Sequence, residues 1–234
     1  LILFKKKIVV TGGEGRFASV LKKTKSNYDY LFPSKKTLNI LNVNSIRKYI
    51  QKYKPKYLLH CAGLSRPMII HETNFKKSID INIIGTANVT KICSEYNVKL
   101  IYFSTGYVYE GKIGNYKETS PILPINKYAW SKLGGECAVK LYKNSLILRI
   151  IMCEKPFLHK SAFKDIKTNF IFHEDVAKFI PKILNKKGIL NVGGKIQSVY
   201  NFAKKYNKFI KKTSGRKVFP PNPSINIAKL KKII

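Results

Sequence analysis

The feature that most constrains this chain is a glycine-rich turn set between an apolar strand and an apolar helix start. Lys7-Ile-Val-Val-Thr11 reads as a short buried strand, and Thr11-Gly-Gly-Glu-Gly-Arg-Phe-Ala18 leads from it into the stretch Phe17 to Leu21. Such a turn lets backbone N–H groups at a helix start approach a diphosphate closely, because glycine has no Cβ to hold the phosphate away. Gly12 and Gly15 take the approach positions with Gly13 between them, and Ala18 fills the third small position, where helix packs on strand. A glycine turn alone is ordinary, but the strand before it and the helix after it mark a dinucleotide loop. Arg16 and Phe17 complete the expected cofactor contacts there.

Apolar runs and helix-period stretches alternate down the chain. Strands are expected at Tyr28 to Phe32, Tyr57 to Ala62, Leu100 to Ser104 and Ser145 to Ile151, with helices at Ser45 to Tyr53, Asn82 to Tyr96 and Tyr128 to Tyr142. Continuously apolar strands between helices predict a parallel sheet covered on both faces: an α/β fold of the Rossmann-type, doubly wound kind.

Composition excludes several other classes. The longest apolar runs are short, and the run Ser145 to Cys153 carries Arg149, so no membrane span is expected. Leu1-Ile-Leu-Phe4 is too brief for a signal peptide, and the start at Leu1 rather than Met leads us to expect a few preceding residues. Cys61, Cys93, Cys137 and Cys153 form no Cys-x-x-Cys pair and share no ligand spacing with the four histidines. They read as free thiols in a reducing, cytoplasmic compartment, with no metal site. The 45 Lys and Arg outnumber the 12 Asp and Glu, for a net charge of +33. These lysines are spread along the whole chain, without an Arg-rich cluster, helix-turn-helix spacing or aromatic-basic stripe. The charge therefore reads as a general bias whose field attracts phosphorylated ligands, not as a nucleic-acid footprint.

Cofactor choice turns on the end of the second strand. Enzymes using NAD place Asp or Glu there for the ribose hydroxyls, whereas this chain has Pro33-Ser-Lys-Lys36. Ser34 and Lys35 can meet a 2′-phosphate, so NADP(H) is expected, with NAD(H) as the alternative. The same lysines also fit the general lysine excess. Asn42, Val43, Cys61, Ala62, Gly63 and Ser104 are assigned to the cofactor surface as well.

Two segments suit carbonyl reduction. The strand ending Ile101-Tyr-Phe-Ser-Thr105 brings hydroxyls to the sheet's carboxyl edge, where ligands of such folds bind. Tyr128-Ala-Trp-Ser-Lys132 sets a phenol and an ammonium at i and i+4 on one helix face. Hydride delivery to a ketone leaves an alkoxide that needs a proton. Tyr128 is the expected acid, Lys132 the cation that favours its phenolate and holds the nicotinamide ribose, and Thr105 the donor to the carbonyl oxygen.

These residues resemble the extended short-chain dehydrogenase/reductase family, and within it the dTDP-4-dehydrorhamnose reductase branch. Ser104-Thr-Gly-Tyr-Val-Tyr-Glu-Gly111 is similar to that branch's Ser-Thr-Asp-Tyr-Val-Phe-x-Gly segment, with Gly106 in place of the Asp. Glu118, Pro121, Pro124, Tyr128, Lys132 and Glu136 keep its order and spacing. Asn82-Ile-Ile-Gly-Thr86, Glu174-Asp-Val-Ala177, Leu190-Asn-Val-Gly-Gly194 and the stretch from Pro221 to Leu230 resemble further landmarks. The resemblance implies NADPH-dependent reduction of the C4 ketone of a nucleotide-activated deoxysugar, feeding surface polysaccharide synthesis. It also implies a homodimer, a dinucleotide-binding domain over 1–150 and a reduced substrate-binding region over 151–234, part of which returns to the main sheet. Sugar-nucleotide dehydratases carry Asp-Glu after the Thr, where this chain has Gly106 and Tyr107. A C4 epimerase with bound NAD is the nearer rival, and a non-catalytic NADP-binding regulatory subunit is a third reading.

Arg66, Asn82 and Tyr107 are the expected substrate contacts. Arg66 matches phosphate oxygens with a guanidinium fork, Asn82 reads as a helix N-cap or an active-site organiser, and Tyr107 is equally a packing residue, as is Trp130. His60, at a strand end, reads as a satisfied core histidine. His71, His159 and His173 have no sequence partner that points to chemistry.

Overall fold

The computed structural model describes residues 5–216 and 219–234; residues 1–4, weighed above as a leader, lie outside them. Six parallel strands form the central sheet: β1 (Lys7–Thr11), β2 (Asp29–Leu31), β3 (Tyr57–His60), β4 (Lys99–Phe103), β5 (Ser145–Ile150) and β6 (Gly188–Val192). Their spatial order is β2-β1-β3-β4-β5-β6, parallel throughout. Helices fill the crossovers: α1 (Arg16–Lys22), α2 (Val43–Tyr53), α3 (Gly85–Glu95), α4 (Lys127–Lys140) and α5 (His173–Ile183).

Strand side chains alternate between two cores, because successive residues of a strand point to opposite faces. Val10, Leu59, Ile101 and Leu148 join α1 and α5 on one face. Val9, Leu58, Leu100, Tyr102 and Ile147 join α2, α3 and α4 on the other. Both faces being covered, the strands read as unbroken apolar runs, and each fully buried aliphatic side chain contributes roughly 1.5–3 kcal/mol. The doubly wound sheet expected from the sequence is therefore the one observed. Strand order reverses between β1 and β3, so the carboxyl ends of those strands splay the crevice where ligands of such sheets bind.

Capping sets two helix starts earlier in the chain than periodicity put them, at Val43 and Lys127. Asn42 caps α2, its Oδ1 accepting from the Ser45 N–H at 3.0 Å, and Asn126 caps α4 by accepting from the Ala129 N–H at 2.8 Å. The third correction concerns Asn82, which is not an N-cap. It lies inside a π-helical stretch, Ile79–Ile84, that runs into α3. Such bulges re-aim a side chain, and that of Asn82 is turned inward.

Beyond β5 the chain forms short pairs, Met152–Cys153 with Ile171–Phe172 and Ser161–Phe163 with Lys211–Thr213. With α6 (Val199–Lys204) they enclose a small core of Phe157, Ala162, Ile166, Phe172 and Phe202. No helix of the described residues is long and apolar enough to cross a membrane, and among those residues no His, Cys, Asp and Glu group could hold a metal ion.

Candidate active site

The phosphate loop is shaped by close backbone approach. Gly12 has φ +70°, and a Cβ there would lie 3.0 Å from the Ala62 backbone. On Gly13 a Cβ would come within 2.6 Å of the Phe32 carbonyl carbon. The Gly15 N–H donates to the Gly12 carbonyl at 2.8 Å, and among the described residues no side chain caps α1, which leaves its first N–H groups to meet an anion.

Beneath the loop, His60 is fully buried between two threonines. Thr86 Oγ1 donates to the Asn82 carbonyl, so it accepts from His60 Nε2 at 3.1 Å; Nδ1 then accepts from Thr11 Oγ1 at 2.8 Å. Burial lowers its pKa to about 3, which keeps it a neutral brace between β1, β3 and α3.

Asn82, also fully buried, locks the loop after β3 to α4. Its Oδ1 accepts from the Leu64 N–H at 2.8 Å, while Nδ2 donates to the Leu64 carbonyl at 2.9 Å and to Ser131 Oγ at 2.8 Å. Gly63 makes room for this arrangement, since a Cβ there would stand 3.3 Å from Asn82 Oδ1 and 3.6 Å from Lys132 Nζ.

A second buried network sets the tip of β4 against α4. Ser104 Oγ donates to Glu136 Oε1 at 2.6 Å, and Arg149 Nη2 donates to Glu136 Oε2 at 2.9 Å. Arg149 Nη1 reaches the Tyr109 hydroxyl at 2.9 Å. Thr105, the next residue, accepts the Tyr107 N–H at 3.2 Å, and its hydroxyl acts to lower the Tyr128 pKa.

A cleft of about 680 Å³ opens over this edge of the sheet and brings most of the expected residues together. Gly12, Gly15, Arg16, Phe17, Cys61 and Gly63 line its cofactor side; Ser104, Thr105, Tyr128 and Lys132 line the centre; Arg66 and Tyr107 lie toward the region after β5. Asn82 and Ala62 stand behind the wall instead of in it. Ser34, Lys35 and Asn42 line a separate shallow hollow together with Glu14, and the Lys35 N–H points at the Glu14 carboxylate from 3.4 Å. Val43 begins α2 and packs against its core. Trp130 is exposed on the outer face of α4.

Burial, with a smaller contribution from the neighbouring Tyr107, pushes the Tyr128 phenol up to about 12; the Thr105 hydroxyl and the charges of Arg66 and Arg16 pull the other way. Burial holds Lys132 down to about 7 against the opposing pull of Glu136, and its Nζ rests 4.2 Å from the centre of the Tyr102 ring. The cations that favour the Tyr128 phenolate are thus the two arginines. Burial disfavours the charge of Lys132 itself.

Two neighbours escaped sequence reasoning. The His71 ring packs against Tyr128 with 5.1 Å between centroids and is anchored by an Nδ1 contact of 2.8 Å with Ser78 Oγ. Glu154 bridges Arg16 and Arg66 across the mouth of the cleft. Neither carries a local signature, because their partners are set by the fold.

A phosphate loop at the switch point, with a strand-tip hydroxyl and a Tyr-x-x-x-Lys helix sharing one cleft, defines a dinucleotide-binding fold of the extended short-chain dehydrogenase/reductase class. The family model for the RmlD substrate binding domain matches residues 6–153, more than half of the chain. This chain belongs to that family, the dTDP-4-dehydrorhamnose reductase-like branch of the class. Methionine adenosyltransferase 2 subunit beta of Xenopus laevis is 32% identical over 143 residues, 57% of this chain and 42% of that protein. The dTDP-4-dehydrorhamnose reductase of Aggregatibacter actinomycetemcomitans is 28% identical over 148 residues, 61% of this chain and 50% of that protein. The chain thus spans about half the length of the curated relatives it matches. Among solved structures, the Bacillus anthracis dTDP-4-dehydrorhamnose reductase in complex with NADP superposes with a TM-score of 0.88 at 23% identity, covering 99% of this chain and 93% of that one. The UDP-glucose 4-epimerase of Thermotoga maritima, with UDP-glucose, gives 0.74 at 19% identity over 97% and 91%. At those identities the likeness is one of fold.

Proposed function

We propose that this chain is an NADPH-dependent reductase of the C4 ketone of a nucleotide-linked deoxysugar. The observation that carries the reading is the convergence of Thr105, Tyr128 and Lys132 on the cleft that also holds the phosphate loop. The nicotinamide supplies hydride when bound. Tyr128, protonated at neutral pH with its pKa near 12, gives its proton to the carbonyl oxygen, and Thr105 hydrogen-bonds that oxygen as charge develops. Lys132 holds ribose hydroxyls. Arg66 and Tyr107 face the nucleotide sugar, while Asn82 acts by fixing the loop that carries Arg66. The relatives named as dTDP-4-dehydrorhamnose reductases support this assignment, and the NADP in one of their structures supports NADP(H), with NAD(H), held by other structures of the same fold, as the alternative. The same reading has residues 1–150 as the dinucleotide domain and 151–234 as the substrate region, and includes a homodimer and a cytoplasmic location. The positive field then serves phosphorylated small molecules instead of nucleic acid.

The test is NADPH consumption followed by absorbance with a dTDP-4-keto-6-deoxyhexose. Wild type should consume cofactor in step with ketone, and Tyr128→Phe should lose about 10²–10⁴-fold in rate while still binding NADPH. A second reading is favoured by the relatives named as methionine adenosyltransferase subunits: a dinucleotide-binding regulatory subunit without turnover. Binding of NADPH with no consumption against any 4-keto sugar nucleotide would decide for it.

A further inference from the structure

One charge cluster at the cleft mouth contains a carboxylate, Glu154, to which the reduction chemistry assigns no role. Glu154 follows the strand Met152–Cys153, and its side chain is 17% exposed. Its Oε1 accepts from Arg16 Nη1 at 2.8 Å and from Arg66 Nη1 at 3.0 Å. Arg16 begins α1 directly after the phosphate loop, Arg66 lies between β3 and α3, and Glu154 comes after β5. Three separate connections therefore meet on one oxygen atom. Arg16 is held further by its Nη2, which donates to Ser65 Oγ at 3.3 Å.

The charges do not balance. Two guanidiniums face one carboxylate, so the cluster keeps one positive charge in excess. Burial would raise the Glu154 pKa, but its own backbone N–H and then Arg66 and Arg16 outweigh that and hold it below the usual value. It is thus an anion whenever a ligand arrives. A diphosphate ester carries two negative charges on separated oxygens and can give each guanidinium its own acceptor, which a single carboxylate oxygen cannot do. Both arginines line the cleft alongside the phosphate loop and Tyr128.

We propose that Arg16 and Arg66 form a clamp for the diphosphate of a nucleotide ligand, and that Glu154 is its built-in competitor. The carboxylate keeps the two guanidiniums aimed at a common point, and it must release both before phosphate oxygens take the same N–H groups. Neutral nucleosides cannot drive that exchange, and recapture of the arginines by Glu154 speeds ligand release. The inference rests on the dinucleotide reading only for which diphosphate is held, that of the cofactor or that of the sugar nucleotide.

The experiment is calorimetric titration of wild type, Glu154→Gln and Glu154→Gln/Arg66→Ala with NADPH and, separately, with dTDP. Thermal melts check that each variant is folded. Glu154→Gln should bind the clamped ligand about threefold to tenfold more tightly, the scale of two partly exposed ion pairs no longer to be broken, and adding Arg66→Ala should remove that gain. Tightening toward NADPH assigns the clamp to the cofactor; tightening toward dTDP assigns it to the sugar nucleotide. Affinities for both ligands that are unchanged or weakened in Glu154→Gln overturn the proposal, as does failure of every form to bind either ligand. Wild type that binds dTDP but not NADPH sinks the reductase reading and leaves the dTDP comparison to judge the clamp.

Discussion

Replacing Glu136 with alanine strands Arg149 in the interior. The two side chains are only 4% and 2% exposed, and Arg149 cannot shed its proton to escape the cost of burial. Removing one partner of such a pair typically costs about 3–5 kcal/mol. Ser104 loses its acceptor at the same time, which adds about 1 kcal/mol, while the bond from Arg149 to the Tyr109 hydroxyl offsets part of the loss. We expect Glu136→Ala to lose about 4 kcal/mol, a large share of the roughly 5–15 kcal/mol that holds a typical domain. The double variant Glu136→Leu/Arg149→Met removes both charges and keeps the volume. It should lose only about 1–2 kcal/mol, from the unpartnered Ser104 and Tyr109 groups. Urea unfolding followed by far-ultraviolet circular dichroism measures both. A loss below about 1 kcal/mol in Glu136→Ala, or a double variant no more stable than the single one, refutes the argument.

Lys132 has a pKa of about 7 in the fold against an ordinary 10.5. Between those values the unfolded chain holds a proton that the fold does not, so stability rises with pH across that window. Lys132→Met should flatten the rise in urea midpoints, leaving the part due to Lys99, which burial lowers to about 8; an unchanged slope contradicts this. Tyr128 acts in the opposite sense, but above its ordinary value of 10, where the fold retains a proton that the unfolded chain loses. Gly13→Ala sets a methyl group against the Phe32–Pro33 backbone and should cost about 1–3 kcal/mol in thermal and urea unfolding; wild-type stability would show that the turn can yield. Asn82→Ala unpairs both backbone groups of Leu64. It should cost about 2–4 kcal/mol and speed hydrogen exchange at the Leu64 amide, where unaltered protection would contradict the role given to that side chain.

The sheet was legible because its strands are apolar on both faces and its helices keep their period; strand ends moved by one or two residues, and helix starts moved where an Asn cap or a π turn set them. The phosphate loop and the Tyr128–Lys132 pair were legible because each is local in sequence. What escaped is non-local. Periodicity carries no sign of the π stretch at Asn82, nor of the short helices Ile69–Thr73 and Phe75–Ser78 that bring His71 against Tyr128. Glu154 meets its arginines across 138 and 88 residues of chain. Apart from β6, the strands after β5 have two or three residues each, too few for any alternation to register. The burial that disfavours the charge on Lys132 depends on Tyr102 and Gly63 beside it, a packing that four-residue spacing does not encode.

The most direct measurement is isotope transfer. Enzyme, NADPH carrying deuterium at the reactive nicotinamide carbon and a dTDP-4-keto-6-deoxyhexose are incubated together, and the sugar product is examined by mass spectrometry. Proton donation by Tyr128 beside a bound nicotinamide predicts one deuterium, at C4, with cofactor consumed in equal amount and both lost in Tyr128→Phe. Product without label, or cofactor bound yet unconsumed, would contradict the account at its centre.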